Sequence, residues 1–339
     1  MKAVGFYQSL PISDINSLVD IEIDKPKLVN DYDLLVKVET VSVNPVDYKV
    51  RLGSLVNKST EAKVLGWDVS GVVEEIGSKC DGFAVGDKVF YAGDITRQGG
   101  NSEYHLIDSR IVGHAPKNVS SAEAASLPLT SLTAWEALFE GLNVDKNNAQ
   151  KSILIINGAG GVGSIAIQLA KQLTKLKVIA TASRAESVEW CLNLGADNVV
   201  NHHLNLVEQV RALGYQYVDY ILILNNTQQH IASCAELCIP FGGICTIVET
   251  SDGTLDIGLL KTKSLTFSQE FMYTRSMYQT PDMIEQQKIL NSISELIEKG
   301  AIRHTAKTML SPINASNLRK AHELLEGGRV IAKIVISGF

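Results

Sequence analysis

Ile153-Leu154-Ile155-Ile156-Asn157-Gly158-Ala159-Gly160-Gly161-Val162-Gly163-Ser164-Ile165-Ala166 is the stretch that decides the fold. A four-residue apolar run, a glycine turn and a helical pattern follow one another in the order strand, turn, helix. Gly158, Gly160 and Gly163 match the G-x-G-x-x-G spacing of a dinucleotide-binding turn. One glycine permits a tight turn at φ values that other residues avoid. Another lets the main chain approach a pyrophosphate, and the third lets helix and strand pack closely. The phosphates then face free N–H groups at a helix N-terminus. The residues of this turn expected to hold a dinucleotide are Gly158, Gly160, Gly161, Val162 and Gly163.

Working outward, the next strand is expected at Lys177–Thr181, which is the distance the fingerprint requires. NAD binders place an acid at about 20 residues beyond the turn, on the ribose 2′-hydroxyl. Here the strand runs into Ser183-Arg184 and that acid is missing. A hydroxyl and a guanidinium suit a 2′-phosphate, so NADP(H) is the expected cofactor. Ser183 also reads as a helix N-cap with Glu186 completing a capping box, and both uses can coexist.

The alternation continues. Helices are expected at Ala185–Leu194, Leu204–Leu213 and Thr227–Cys238, with strands at Asn198–Asn201, Val218–Leu224 and Gly243–Val248. Near-continuous apolar strands separated by helices imply a doubly wound parallel sheet. Before about residue 116 the rhythm differs. Leu34–Val43 alternates like a half-buried strand, and Val69–Gly77 and Gly86–Phe90 are further strand candidates punctuated by glycine. Ser121–Ala125 opens like a capped helix, and Leu132–Leu142 follows as a second. Beyond Phe271 two helices, Pro281–Lys299 and Ile313–Glu326, precede a last strand at Val330–Ile336. This tail is expected to return to the N-terminal β domain. The fold class is α/β, divided as 1–125, 126–270 and 271–339.

The chain has 339 residues and a formal net charge of -6, with no run of Lys and Arg, which argues against a nucleic-acid binder. No apolar run approaches the ~20 residues that cross a bilayer. Met1–Tyr7 reads as a strand, not a signal peptide. The five cysteines form no disulfide framework, and a cytoplasmic protein with reduced thiols is expected. His230, Cys234 and Cys238 recur every four residues on one expected helix. They could touch a metal, although packing between helix and sheet is the simpler account.

Several blocks then resemble the medium-chain dehydrogenase/reductase superfamily, in order and over nearly the whole length. They are Ser42–Asp47, Leu65–Val73, Val85–Val89, Leu127–Glu136, Asn157–Gly163 and Gly195–Asp197. The nearest likeness is to the quinone oxidoreductase branch and, through Phe271–Met277, to its zinc-type alcohol dehydrogenase-like subgroup. The resemblance implies a GroES-like catalytic domain built from both chain ends, a Rossmann domain between them, a nicotinamide held in the cleft, and a homodimer pairing edge strands near Ser264–Ser268.

It does not carry over zinc. Zinc-dependent relatives have Cys where this chain has Asn44, a His–Glu pair where it has Trp67-Asp68, and a third ligand near Leu129–Thr133, which contains no Cys. No metal site is expected. Without a Lewis acid, a quinone or an α,β-unsaturated carbonyl compound is the easier hydride acceptor, because its conjugation spreads the developing charge. Asn44, Asp47, Tyr48 and Lys49 are the candidates around that small-molecule acceptor, with Asn44 as a hydrogen-bond donor or simply a turn residue. Trp67 lines the pocket or packs. Thr130 and Thr133 match positions near the cofactor, although Thr130 could instead cap the following helix. His202 matches a position near the 2′-phosphate or is an exposed loop residue. The alternatives are a zinc-dependent alcohol dehydrogenase and an NADPH-binding sensor or structural protein with little turnover.

Overall fold

A computed structural model describes residues 1–53, 57–147, 150–250 and 253–339. The chain divides into two compact units, Met1–Leu129 with Tyr273–Phe339 and Thr130–Met272. Sequence reading put the joints at 125/126 and 270/271.

The second unit carries a six-stranded sheet in the order Asn198–Val200, Lys177–Thr181, Ser152–Ile156, Val218–Ile223, Cys238–Thr246, Thr266–Gln269. Every pairing in it is parallel. The strand Ser152–Ile156 is buried at all five positions, as expected of a strand with helices on both faces. Thr266–Gln269 pairs on one side only and forms an edge of the sheet. The expected helices appear at Gly161–Leu173, Ala185–Asn193, Leu206–Ala212 and Thr227–Leu237. One helical segment departs from the reading. It starts at Pro128, not Leu132, and Ala137–Gly141 continues it as a π-turn, in which the Leu142 N–H reaches the Ala137 carbonyl. Proline is well suited to a first helical position, where its missing N–H costs nothing.

The first unit is built on a seven-stranded sheet that is antiparallel except where Ala306–Leu310 joins Lys333–Ser337. Its axis is the eleven-residue strand Asp33–Val43, which pairs with Val69–Ile76, Tyr104–Asp108 and Lys333–Ser337. It is not half-buried. Nine of its eleven residues are buried, because strands flank both of its edges and the helix Ser121–Ala125 packs against it. The tail does return to this sheet, with Ile334 opposite Val43 and Ile336 opposite Val41. The helix Ser121–Ala125 is capped by Ser120. Glu123 accepts from the Ser120 N–H at 2.7 Å, and the Glu123 N–H donates to Ser120 Oγ at 3.3 Å, a reciprocal pairing that satisfies two orphan donors.

Candidate functional site

The glycine turn is formed at the carboxyl end of Ser152–Ile156, the edge at which open parallel sheets bind ligands. Its left-handed residue is Asn157, at φ 65°, and none of the turn's glycines. Asparagine tolerates that region better than most side chains. The Asn157 N–H donates to Thr181 Oγ1 at 2.9 Å and the Gly158 N–H to the Thr181 carbonyl at 3.0 Å, which tie the turn to the neighbouring strand. The glycines are needed for space. A Cβ on Gly163 would lie 2.5 Å from the Asn157 carbonyl oxygen and 2.7 Å from Gly158 Cα, and one on Gly158 would lie 2.8 Å from Ala180 Cβ. Gly160 is the N-cap of Gly161–Leu173 and no side chain caps that helix. The N–H groups of Gly161, Val162 and Gly163 have no intrahelical acceptor by construction. Such a cradle fits a dinucleotide pyrophosphate. The helix start is braced from behind, since Ser164 Oγ donates to the Gly160 carbonyl at 2.7 Å and Trp190 Nε1 donates to Ser164 Oγ at 2.8 Å.

Ser183 and Arg184 follow the adjacent strand on the same edge, Ser183 half-buried and Arg184 exposed. The cap of the next helix is Arg184, not Ser183, because its backbone is extended (φ −115°) and the helix starts at Ala185. Ser187, not Glu186, reaches back. Its Oγ accepts from the Arg184 N–H at 3.1 Å and donates to the Arg184 carbonyl at 2.8 Å. The Ser183 hydroxyl is thereby released from capping. His202 follows the next strand and is neither exposed nor isolated. Its Nδ1 is 3.2 Å from Thr181 Oγ1 and its ring meets those of His203 and His230 at 4.5 and 6.5 Å between centroids. Burial, and then the two neighbouring imidazoles, push it down to about 4. A groove of about 530 Å³ opens here, lined by His202, His203, Asn205, Gln229 and His230 among others. Cys234 and Cys238, the other members of the helical triplet, are fully buried and packed with Leu154, Ile221 and Ile244. Burial raises both thiols, Cys238 to about 12. Among the described residues no group of three or more His, Cys, Asp or Glu is arranged to hold a metal ion.

Thr130 and Thr133 are buried within the helix Pro128–Glu136, so Thr130 lies inside that helix and does not stand before it as an N-cap. Beyond the last strand of the parallel sheet lies Glu270, which sequence reading passed over. Burial and then the carboxylates of Glu136 and Glu140 hold it well above the ordinary range, and its Oε1 is buried with no hydrogen-bond partner.

In the first unit, Asn44 and Asp47, which sequence reading placed around the acceptor, form one buried cluster with Asp68 and Lys333, which it had not joined to them. Asn44 ends the strand Asp33–Val43 and precedes the helix Pro45–Gly53, and its N–H donates to Asp47 Oδ2 at 2.7 Å. Asn44 Nδ2 donates to Asp68 Oδ2 at 2.8 Å and to the Trp67 carbonyl at 3.4 Å. Asp68 Oδ1 accepts from the Leu129 N–H at 2.8 Å. Lys333 Nζ donates to Asp68 Oδ2 at 2.8 Å, to the Val43 carbonyl at 3.1 Å and to Asn44 Oδ1. All four residues are at most 3 % exposed. Lys333 was missed in the sequence, although it is the one charge in the apolar run Ile331–Ile336. Burial raises the Asp68 carboxyl against the pull of Lys333. Asp47 is raised to about 7, by burial above all, against the Asn44 N–H and Lys333, and its Oδ1 has no hydrogen-bond partner.

Both amide protons of Asn44 are thus spent on protein acceptors. Tyr48 is half-buried, with its hydroxyl raised by burial and by Glu326 on the C-terminal helix, and Lys49 is exposed. Neither joins the cluster. Trp67 packs: it is fully buried, donates from Nε1 to the Asp94 carbonyl at 3.3 Å, and meets Tyr273 edge-on at 6.3 Å. A catalytic zinc needs three protein ligands and an open position. The donor set at 44, 67 and 68 is an amide, an indole and one carboxylate already bonded to an ammonium, and it does not fit that ion.

Residues 30–130 match the family model described as alcohol dehydrogenase GroES-like domain, and 161–287 the one described as zinc-binding dehydrogenase. A zinc-type alcohol dehydrogenase-like protein of Staphylococcus aureus is 45% identical over 99% of this chain and 100% of its own. A solved Rhizobium etli CFN 42 structure, assigned provisionally to the zinc-dependent alcohol dehydrogenases, superposes with a TM-score of 0.95 at 49% identity, covering 100% of this chain and 98% of that one. The quinone oxidoreductase of Coxiella burnetii superposes with a TM-score of 0.81 at 30% identity, covering 100% and 99%. The chain belongs to the medium-chain dehydrogenase/reductase superfamily and is an oxidoreductase. No described helix is long and apolar enough to cross a membrane.

Proposed function

We propose that this medium-chain dehydrogenase/reductase is a zinc-independent, NADPH-dependent reductase of a quinone or an α,β-unsaturated carbonyl compound. The observation that carries the reading is the donor set at positions 44, 67 and 68, in which an amide, an indole and an ion-paired carboxylate stand where a zinc enzyme needs ligands. Without a Lewis acid the acceptor must spread its own negative charge, and conjugated carbonyls do so.

The pyrophosphate fits the N–H groups of Gly161, Val162 and Gly163. Ser183-Arg184 and His202 follow two neighbouring strands on the edge where a 2′-phosphate would lie, and the acid expected of an NAD binder is absent at 183–184. When bound, NADPH supplies the hydride. The chain's part is to hold and orient it, and solvent can protonate the reduced product. A homodimer is part of this reading, because Thr266–Gln269 leaves one edge of the parallel sheet unpaired and an edge strand needs a partner or a cover.

The test is NADPH oxidation, followed by its absorbance, against a panel of quinones, enones and enals, with NADH in parallel. Turnover with at least one conjugated acceptor and a preference for NADPH are expected. Indifference to every acceptor, or activity only with simple alcohols and added zinc, would sink the proposal. Sedimentation at working concentration should give twice the 36.8 kDa chain mass.

A further inference from the structure

We propose that the Lys333 ammonium is the resident cation of this site, supplied by the chain itself where zinc-dependent relatives hold a metal. Three oxygens receive it: Asp68 Oδ2 at 2.8 Å, the Val43 carbonyl at 3.1 Å and Asn44 Oδ1. One of the three comes from Asn44, at a position where zinc-dependent relatives carry a Cys ligand, and one from Asp68, at the Glu of their His–Glu pair. Asn44 is held by its own side chain at both ends, its Oδ1 towards the ammonium and its Nδ2 towards Asp68. Asp68 accepts from Lys333, Asn44 and the Leu129 N–H. The arrangement is a closed ring, in which Lys333, Asn44 and Asp68 each bond the other two.

Register explains how Lys333 arrives. Ile334 sits opposite Val43 in antiparallel pairing, so the preceding residue lies beside Asn44, and Ala332 just before it takes a left-handed turn at φ 58°. Three oxygens with no thiolate or imidazole make a hard set that suits an ammonium or an alkali ion and disfavours zinc. A divalent ion in the same place would also face the fixed positive charge of Lys333.

The inference deepens the zinc-independent reading, but it is tested by binding and stability, not turnover, so the two can fail separately. Lys333→Ala should remove the cation and leave its oxygens unpaid, lowering the folding equilibrium by about 100-fold or more. Methylammonium chloride should then raise the thermal midpoint of Lys333→Ala saturably, while tetramethylammonium chloride, too large for the hole, should not. Neither salt should discriminate in the unaltered protein. Dialysis of the unaltered protein against zinc should leave no equivalent that Asp68→Asn abolishes. A Lys333→Ala protein as stable as the parent, or one recovered equally by both salts, overturns the proposal, as does one equivalent of Asp68-dependent zinc. If Lys333→Ala does not fold, Lys333→Met with Asp68→Asn must be more stable than Lys333→Met alone, because the double change removes the orphaned charge. A double variant no better than the single overturns it too.

Discussion

Gly163→Ala probes the phosphate turn at the point where space is tightest. The added Cβ would lie 2.5 Å from the Asn157 carbonyl oxygen and 2.7 Å from both Gly158 Cα and the Gly158 carbonyl oxygen. All three are backbone atoms and cannot rotate aside. Restoring ordinary contact at 3.4 Å requires the turn and the helix start to part by up to 0.9 Å. Overpacking of this kind costs about 1–3 kcal/mol, and the helical preference of Ala over Gly returns at most ~1 kcal/mol. The net loss of stability is therefore about 0–2 kcal/mol. The effect on cofactor is larger. An N–H hydrogen bond to a charged group contributes about 1.5–3 kcal/mol, so misplacing one of the donors at Gly161–Gly163 weakens NADPH by about 10–100-fold. Titration of NADPH fluorescence gives the affinity and a thermal scan gives the midpoint. Gly327→Ala is the control, since its Cβ would meet nothing closer than 3.4 Å, and it should change neither affinity nor midpoint appreciably. If Gly163→Ala binds NADPH as tightly as the parent and melts with it, the cradle has been misjudged.

Arg184→Glu should weaken NADPH about tenfold or more, by turning a charge-assisted contact into repulsion, and should leave NADH nearly unchanged. Equal losses for both cofactors would remove Arg184 from the 2′-phosphate. Asp47 is raised to about 7 in the folded chain. Its native state therefore prefers the proton, and the stability this contributes is full below the unfolded value near 3.8 and is lost as pH rises through about 7. Between pH 5 and pH 8 the parent should lose about 2–3 kcal/mol more than Asp47→Asn in paired denaturant titrations, and parallel curves would refute the assignment. Trp67→Phe forfeits the bond to the Asp94 carbonyl and part of a fully buried ring. It should cost about 1–3 kcal/mol in a denaturation curve, and an unchanged midpoint would mean that the indole does not pack as described.

The alternation of strands and helices from Ser152 to Thr246 was legible because buried parallel strands are continuous apolar runs and local punctuation marks their ends. The expectation of NADP(H) rests on equally local residues, Ser183 and Arg184 next to one strand, and awaits the paired NADPH and NADH assays. What escaped was set by geometry that no spacing encodes. The turn's left-handed residue is Asn157, because the glycines are spent on close approach. The cap after the second strand is one residue later than read, because a helix that starts at Ala185 is capped by the residue just before it, Arg184. The buried cluster joins Lys333 to Val43, 290 residues apart in sequence. Only the return of the last strand makes them neighbours, and from sequence Tyr48 and Lys49 stood closer to Asn44 than Lys333 did.

That late return has a bearing on synthesis at the ribosome. The oxygens of Asn44 and Asp68 emerge early, and the whole inserted unit, Thr130–Met272, emerges before the cation that matches them. The parallel sheet lies wholly within that insert and can close while the first sheet still lacks its partner strand. The segment Met1–Leu129 then holds Asp68 with only the neutral donors of Asn44 and Leu129 until Lys333 is made. A nascent chain stalled before residue 333 would hold a finished nucleotide-binding unit beside an unfinished one. The sheet around Asp33–Val43 is thus complete only once the strand that carries Lys333 has been delivered.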